Sequence, residues 1–161
     1  MAKLKSFVNS DSTVTAGNSS GVNDGAATLT LATKEAAEKY GLTPIAKAHG
    51  GAIAGVKPRI MGFGPYSAPR KLMDRLGLEQ DHFAVIETNE AFASQRLATL
   101  RYLKIAGDDI RGNPNGGAIA LGHALAMSGA RIKGTAMLGL KPGEISLSAM
   151  CIDVGQDIAP H

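Results

Sequence analysis

Asn113-Pro114-Asn115-Gly116-Gly117-Ala118-Ile119-Ala120-Leu121-Gly122-His123 is a turn-forming stretch that runs straight into an apolar one. Asn, Pro and Gly crowd its start, so Gly112 to Gly117 reads as a loop. From Ala118 to about Leu140 the pattern reads as a helix. Between Gly117 and Ala130 nearly every side chain is apolar or tiny, with His123 and Ser128 as the interruptions. A helix that is hydrophobic all round is buried all round. One small sheet covers only one side of it. The sequence therefore implies a layer that this chain does not provide, supplied by a second copy or by a different chain. Large exposed apolar patches are uncommon on monomers.

Working outward, helix and strand patterns alternate. Thr33 is placed to cap a helix from Lys34 to Tyr40, with Gly41 as its stop. Ala26 to Ala32 reads as a short apolar element, and Ile45 to Gly55 as a strand region. Pro65 to Leu76 is helical in pattern, with Ser67 as its cap, Leu72, Met73 and Leu76 on one face, and Gly77 ending it. Phe83 to Glu87 is an apolar strand. Glu90 to Leu103 is an amphipathic helix with Phe92, Leu97, Leu100 and Leu103 inward, and with Ser94, Gln95 and Arg96 toward solvent. Ile145 to Cys151 alternates as a strand, and Ile158-Ala159 is a last short element before Pro160. The class is α/β in a single domain over residues 1–161.

Composition narrows the function. Apolar residues make up 44% of the 161 residues, enough for one domain with a real core. The formal charge is only +3, and no Lys/Arg run interleaves with aromatics, so nucleic-acid binding is not expected. No apolar stretch reaches the length of a membrane span, and no secretory signal opens the chain; a cytoplasmic protein is expected. Cys151 is the sole cysteine, so no intrachain disulfide can form, and the usage suits a reducing compartment.

Three residues could carry chemistry. His123 lies in the apolar helix, where a lone histidine is by default a satisfied core residue. Cys151 ends a strand and is by default a small buried hydrophobe. Asn89 sits at a strand-to-helix junction, where its default role is a helix cap. Each gains a catalytic reading only if another reactive group meets it.

Taken with their surroundings, these residues resemble the carboxy-terminal half of the thiolases. The stretch from Thr15-Ala16-Gly17-Asn18-Ser19-Ser20 to Asn23-Asp24-Gly25-Ala26-Ala27 is similar to the segment that opens that half. Asn89-Glu90-Ala91-Phe92-Ala93 resembles the Asn-Glu-Ala-Phe block, and Asn115 to His123 the catalytic-histidine segment. Met150-Cys151-Ile152 resembles the start of the final Cys-x-Gly block. The order and spacing hold from about Ala2 to Ala159, with a slight flavour of the 3-oxoadipyl type in Asn113 to Gly117.

The resemblance implies a mixed β-sheet with helices on both faces, and acyl transfer between thioesters of coenzyme A. It implies that His123 activates a nucleophilic Cys carried by the first half of the family. Cys151 would be the second acid–base, and Asn89 would hold a water that, with His123, stabilises the enolate oxygen. Ser20, Ala16 and Phe92 would line the pantetheine channel, and Met61 and Gly62 would border the acyl pocket. Coenzyme A would be a substrate, with no permanently bound cofactor and no metal. The expected partners are CoA thioesters and either a second copy or a complementing amino-terminal half, with no membrane among them.

The chain also departs from the family. No cysteine is placed as the nucleophile, and the nucleophile domain and the loop that grips the adenine end of coenzyme A are expected to be missing. The family's Cys-x-Gly reads Cys151-Ile152-Asp153, and a later Gly is Asp157. Asp153 could still offer its backbone N–H to an oxyanion, but its bulk and charge oppose that role. Gly-His-Pro reads Gly122-His123-Ala124, Ala126 stands for a usual Gly, and the last strand is expected to be cut short. Little or no activity is expected of the chain alone. A catalytically inactive CoA-thioester binder or scaffold, and a truncated fragment that only oligomerises, are the alternatives.

Overall fold

A computed structural model describes residues 3–152 and 156–160 of the chain. In chain order the regular elements are α1 (Lys34–Lys39), β1 (Gly51–Gly55), α2 (Gly64–Leu76), β2 (Phe83–Thr88), α3 (Ala93–Tyr102), α4 (Ala118–Leu121), α5 (Ser128–Leu138), β3 (Ile145–Ile152) and β4 (Gln156–Pro160). A 3-10 turn over Pro58–Phe63 leads into α2, and a second over Gln80–His82 leads into β2.

The strands form one mixed sheet in the order β1-β4-β3-β2. β4 runs antiparallel to both neighbours, while β2 lies parallel to β3. Side chains alternate across β2. Ile86 joins Leu72 and Met73 of α2, Leu100 of α3 and Leu147 of β3 in the main core. On the other face, Val85 and Glu87 meet α5 at Gly139 and Arg131. Helices therefore cover both faces, as expected. With both faces covered, all of β2 except Ala84 is buried.

Several local expectations hold for the reasons that prompted them. Thr33 accepts from the Ala36 amide and caps α1, and Gly41 follows at φ 62°. Gly77 ends α2 in the left-handed conformation, at φ 66°. Leu72 and Met73 are fully buried, with Leu76 packed against the same cluster.

Others are corrected. The helix over Ala118–Leu140 is broken in two. Gly122 stands at φ 95°, and the His123 amide donates to Gly21 O at 3.0 Å instead of continuing the helical ladder. The helix resumes at Ser128. α2 starts at Gly64, so Ser67 lies inside it and caps nothing. α3 starts at Ala93, because Phe92 is held extended by pairing with Ser19. On α3, Gln95 is buried and Leu97 is exposed, the reverse of expectation. Gln95 lies over Gly62, whose missing side chain leaves it room, and Leu97 rests on Gly107 at the surface. Only Gly51–Gly55 of the expected Ile45–Gly55 strand forms. Ala26 to Ala32 forms no regular element, and Leu31 is 82% exposed.

The two sides of the broken helix differ in burial. Ala118, Ile132 and Ala136 are buried, and α5 packs on β2 and β3. Leu121, Leu125 and Leu138 face outward with more than half their surface exposed.

Candidate active site

The break at Gly122 shapes the site. A helix through residue 123 would have bonded its amide four residues back. Here the loop Gly21–Asn23 takes both backbone groups: His123 N donates to Gly21 O, and His123 O accepts from Asn23 N at 3.3 Å. Gly122 permits this twice over. Its positive φ suits glycine, and a Cβ there would lie 2.5 Å from Asn23 Oδ1.

Glu90 holds the turn from the other side. Its Oε1 accepts from Asn113 Nδ2 at 2.9 Å and lies 3.4 Å from Arg96 Nε. Its Oε2 accepts from the Ile119 amide at 3.2 Å, at the N-terminal end of α4. The carboxylate fills the space where a Cβ on Gly117 would be. Asn113, buried at φ 48°, bonds the Thr88 amide at 2.8 Å and the Thr88 carbonyl at 2.9 Å. The expectation that Arg96 points to solvent is therefore corrected. Its side chain is 13% exposed and donates to Thr88 Oγ1 at 3.2 Å.

Between these supports lies the His123 ring, which is buried. Nδ1 is 2.7 Å from Ser128 Oγ, and Nε2 is 3.3 Å from Asn89 Nδ2. The tautomer follows from the donors. Ser128 Oγ–H donates to Ala124 O at 3.0 Å, so its lone pair is free to accept from Nδ1–H. With the Asn89 amide oriented as in the structure, Nδ2 donates and Nε2 carries the lone pair. This arrangement favours a neutral imidazole with its lone pair at Nε2, on the Asn89 side. Burial, and secondarily the nearby Arg131 cation, hold the ring's pKa below the usual histidine value, which favours the same state at neutral pH.

The other sequence candidates fall into groups around this ring. Asn89 is fully buried, and its Oδ1 has no hydrogen-bond partner among the described residues. Ser20 bonds Ala91 O through its amide at 3.1 Å, and Ser19 pairs with Phe92. The loop holding Ala16 and Ser20 is thus stitched to the Asn89–Phe92 segment on one side and to His123 on the other. Ala16 is exposed, and Ser20 and Phe92 are half-buried. Met61 and Gly62 sit apart, on the 3-10 turn before α2; Gly62 lines a shallow cavity with Phe63, Ser94 and Gln95. Cys151 is half-buried near the end of β3, opposite Asp157 of β4. Asp153 lies outside the described residues.

Sequence reasoning missed Ser128, Glu90, Asn113 and Arg131 as parts of this site. Ser128 left one signal, a polar residue in an apolar run. The others look like ordinary loop and surface positions until the turn is folded.

The arrangement is an α/β domain with a buried histidine bracketed by an amide and a hydroxyl. Comparison with known proteins then specifies the class. The model of the thiolase C-terminal domain matches residues 25–160, and the chain belongs to that family. It is 59% identical, over 99% of its length, to the beta-ketoadipyl-CoA thiolase of Pseudomonas aeruginosa, covering 40% of that protein. It is 51% identical to the 3-oxoadipyl-CoA/3-oxo-5,6-dehydrosuberyl-CoA thiolase of Escherichia coli, over 97% of this chain and 39% of that protein. Among solved structures, the Acat5 thiolase of Ascaris suum in complex with coenzyme A superposes with a TM-score of 0.89 at 34% identity, over 99% of this chain and 42% of that one. The dimeric peroxisomal thiolase of Saccharomyces cerevisiae gives 0.90 at 36%, over 99% of this chain and 40% of that one. The chain thus spans about two fifths of the length of these relatives.

Proposed function

We propose that this chain supplies the acid–base half of a thiolase site, acting on 3-ketoacyl thioesters of coenzyme A, with 3-oxoadipyl-CoA as the first substrate to try. The observation that most supports this is the His123 network, which leaves Nε2 as a neutral base. In thiolysis the ring would take the proton of a cysteine thiol, and the thiolate would attack the 3-keto carbonyl of the substrate. The bond between the α- and β-carbons breaks, its electron pair goes to the α-carbon, and Cys151 would deliver the proton there. Coenzyme A then takes the acyl group from the nucleophile. Asn89, with a water, and His123 would stabilise the enolate oxygen. Ala16, Ser20 and Phe92 would guide the pantetheine arm, and Met61 and Gly62 would border the acyl group.

The nucleophile would come from another chain or segment, because Cys151 is the sole cysteine here. The exposed leucines of α4 and α5 give that partner an apolar face to cover. The single cysteine also favours a second reading, a thioester-binding protein without turnover.

The test is thiolysis of acetoacetyl-CoA and 3-oxoadipyl-CoA by the chain alone and by the chain mixed with the remaining amino-terminal part of the Pseudomonas aeruginosa relative. Activity only in the mixture is expected. There, His123→Ala should abolish acylation of the nucleophile, and Cys151→Ser should chiefly impair the carbon–carbon step. Equal loss in both half-reactions for Cys151→Ser would contradict these roles. Thioester binding with no turnover in the mixture would favour the second reading.

A further inference from the structure

Glu87 and Arg131 form a pair at the edge of the His123 site. Arg131 Nη1 lies 3.8 Å from Glu87 Oε2, and the Glu87 side chain is fully buried. Neither carboxylate oxygen of Glu87, and none of the three guanidinium nitrogens, has a hydrogen-bond partner among the described residues. Burying two charges at this separation without supporting hydrogen bonds costs about as much in desolvation as the attraction returns, or more. The pair is thus a poor source of stability, and its placement suggests another role.

Arg131 comes three residues after Ser128 on α5, on the same face one turn along. Glu87 comes two residues before Asn89, which lies just past the end of β2 and donates its amide to Ala149 O of β3. Ser128 and Asn89 are the two groups that hold the His123 ring. The pair therefore joins the two elements whose spacing decides whether both ring nitrogens are met. We infer that Arg131, anchored to β2 by Glu87, is a positioning residue for His123: it fixes α5, and with it Ser128, over β2. This rests on the reading of His123 as the base.

The other charged groups at this end of the sheet neutralise each other. Glu90, after β2, pairs with Arg96 of α3 at 3.4 Å. From β3, the residue opposite Glu87 is the uncharged Ser148. Lys133 is two residues beyond Arg131 and on a different face of α5.

The experiment is an NMR titration of histidine-labelled 161-residue chain, following the His123 ring carbons and nitrogens. Arg131→Met, which keeps the bulk and removes the ion pair with Glu87, loosens α5 over the ring and should raise the His123 pKa toward the ordinary histidine value. Arg131→Lys keeps a cation there and should leave the pKa near the wild-type value. Equal shifts in the Met and Lys variants, or no shift in Met, would overturn the inference, because a packing role alone does not distinguish charge. If Arg131→Met does not fold, Arg131→Gln is judged by the same criterion. The titration reads Arg131 whether or not any acyl transfer occurs, so an inactive mixture would count against the thiolase reading and not against this one.

Discussion

Gly117 is where the structure makes its sharpest demand on sequence. Its backbone is ordinary, at φ −103° and ψ −173°, so alanine meets no conformational barrier there. The obstacle is the Glu90 carboxylate, which occupies the place of a Cβ on residue 117. In Gly117→Ala the carboxylate has to withdraw. It then loses the Asn113 and Ile119 bonds and its approach to Arg96. Hydrogen bonds to a charged group contribute about 1.5–3 kcal/mol each, less what re-forms after relaxation. A cost of about 3 kcal/mol is expected.

Glu90→Ala should itself cost about 2–3 kcal/mol, since it leaves Asn113 Nδ2 and the Ile119 amide without this acceptor. With the carboxylate gone, Gly117→Ala should add only the penalty of alanine in place of glycine at a helix N-cap, below about 1 kcal/mol. Urea denaturation of the wild type, the two single variants and the double variant completes the cycle. A coupling of about 2 kcal/mol is expected. Costs that add to within 0.5 kcal/mol, the usual scatter for independent sites, would refute the steric argument.

The remaining expectations concern the ring and the charge behind it. Ser128→Ala removes the acceptor for Nδ1–H in a buried site and should destabilise the chain by about 1–3 kcal/mol. It should also mix the two ring tautomers, seen as averaging of the His123 ring nitrogen shifts; an unchanged tautomer would mean that Asn89 alone specifies it. Burial pushes Glu87 up to about 7 from 4.5, against the pull of Arg131. A group whose pKa is raised on folding contributes stability that is complete below the unfolded value and lost as pH rises through the folded one. The chain should therefore lose up to about 3 kcal/mol between roughly pH 4.5 and 7 from this group, and Glu87→Gln should flatten that slope. Denaturation midpoints of both proteins at pH 5 and pH 8 check it; parallel pH dependence would exclude Glu87 as the source.

Much of the fold was legible because its signals are local. A threonine before Lys34 and glycines at 41 and 77 fix helix ends by chemistry that acts over a few residues. What failed was non-local. The run from Ala118 to Leu140 has helical composition throughout, and nothing within it announces that His123 bonds to Gly21 and Asn23, about a hundred residues earlier. Gln95 looks like a surface residue until Gly62 comes to lie against it. Ala26 to Ala32 is a short apolar stretch, yet among the described residues no strand pairs with it. The site divides the same way. His123, Asn89 and Cys151 were named from motif, whereas Ser128 and Glu90 act on neighbours that only folding brings close.

The broken helix also ties the expected missing layer to the chemistry. A continuous helix would have placed residue 123 one turn past Ile119 on a single cylinder, with its backbone bonded internally. Breaking it frees the His123 backbone for the Gly21–Asn23 loop, and that loop is continuous with the Ala16–Ser20 segment stitched to Phe92. The leucines that remain exposed, at 121 and 125, flank the histidine on both sides in sequence. A partner that covered them would therefore arrive beside His123. An apolar cover there would exclude water from the ring and strengthen its contacts with Asn89 and Ser128. On the proposed function, docking of such a layer and completion of the site would be one event, and a chain supplying the nucleophile would best supply it from this face.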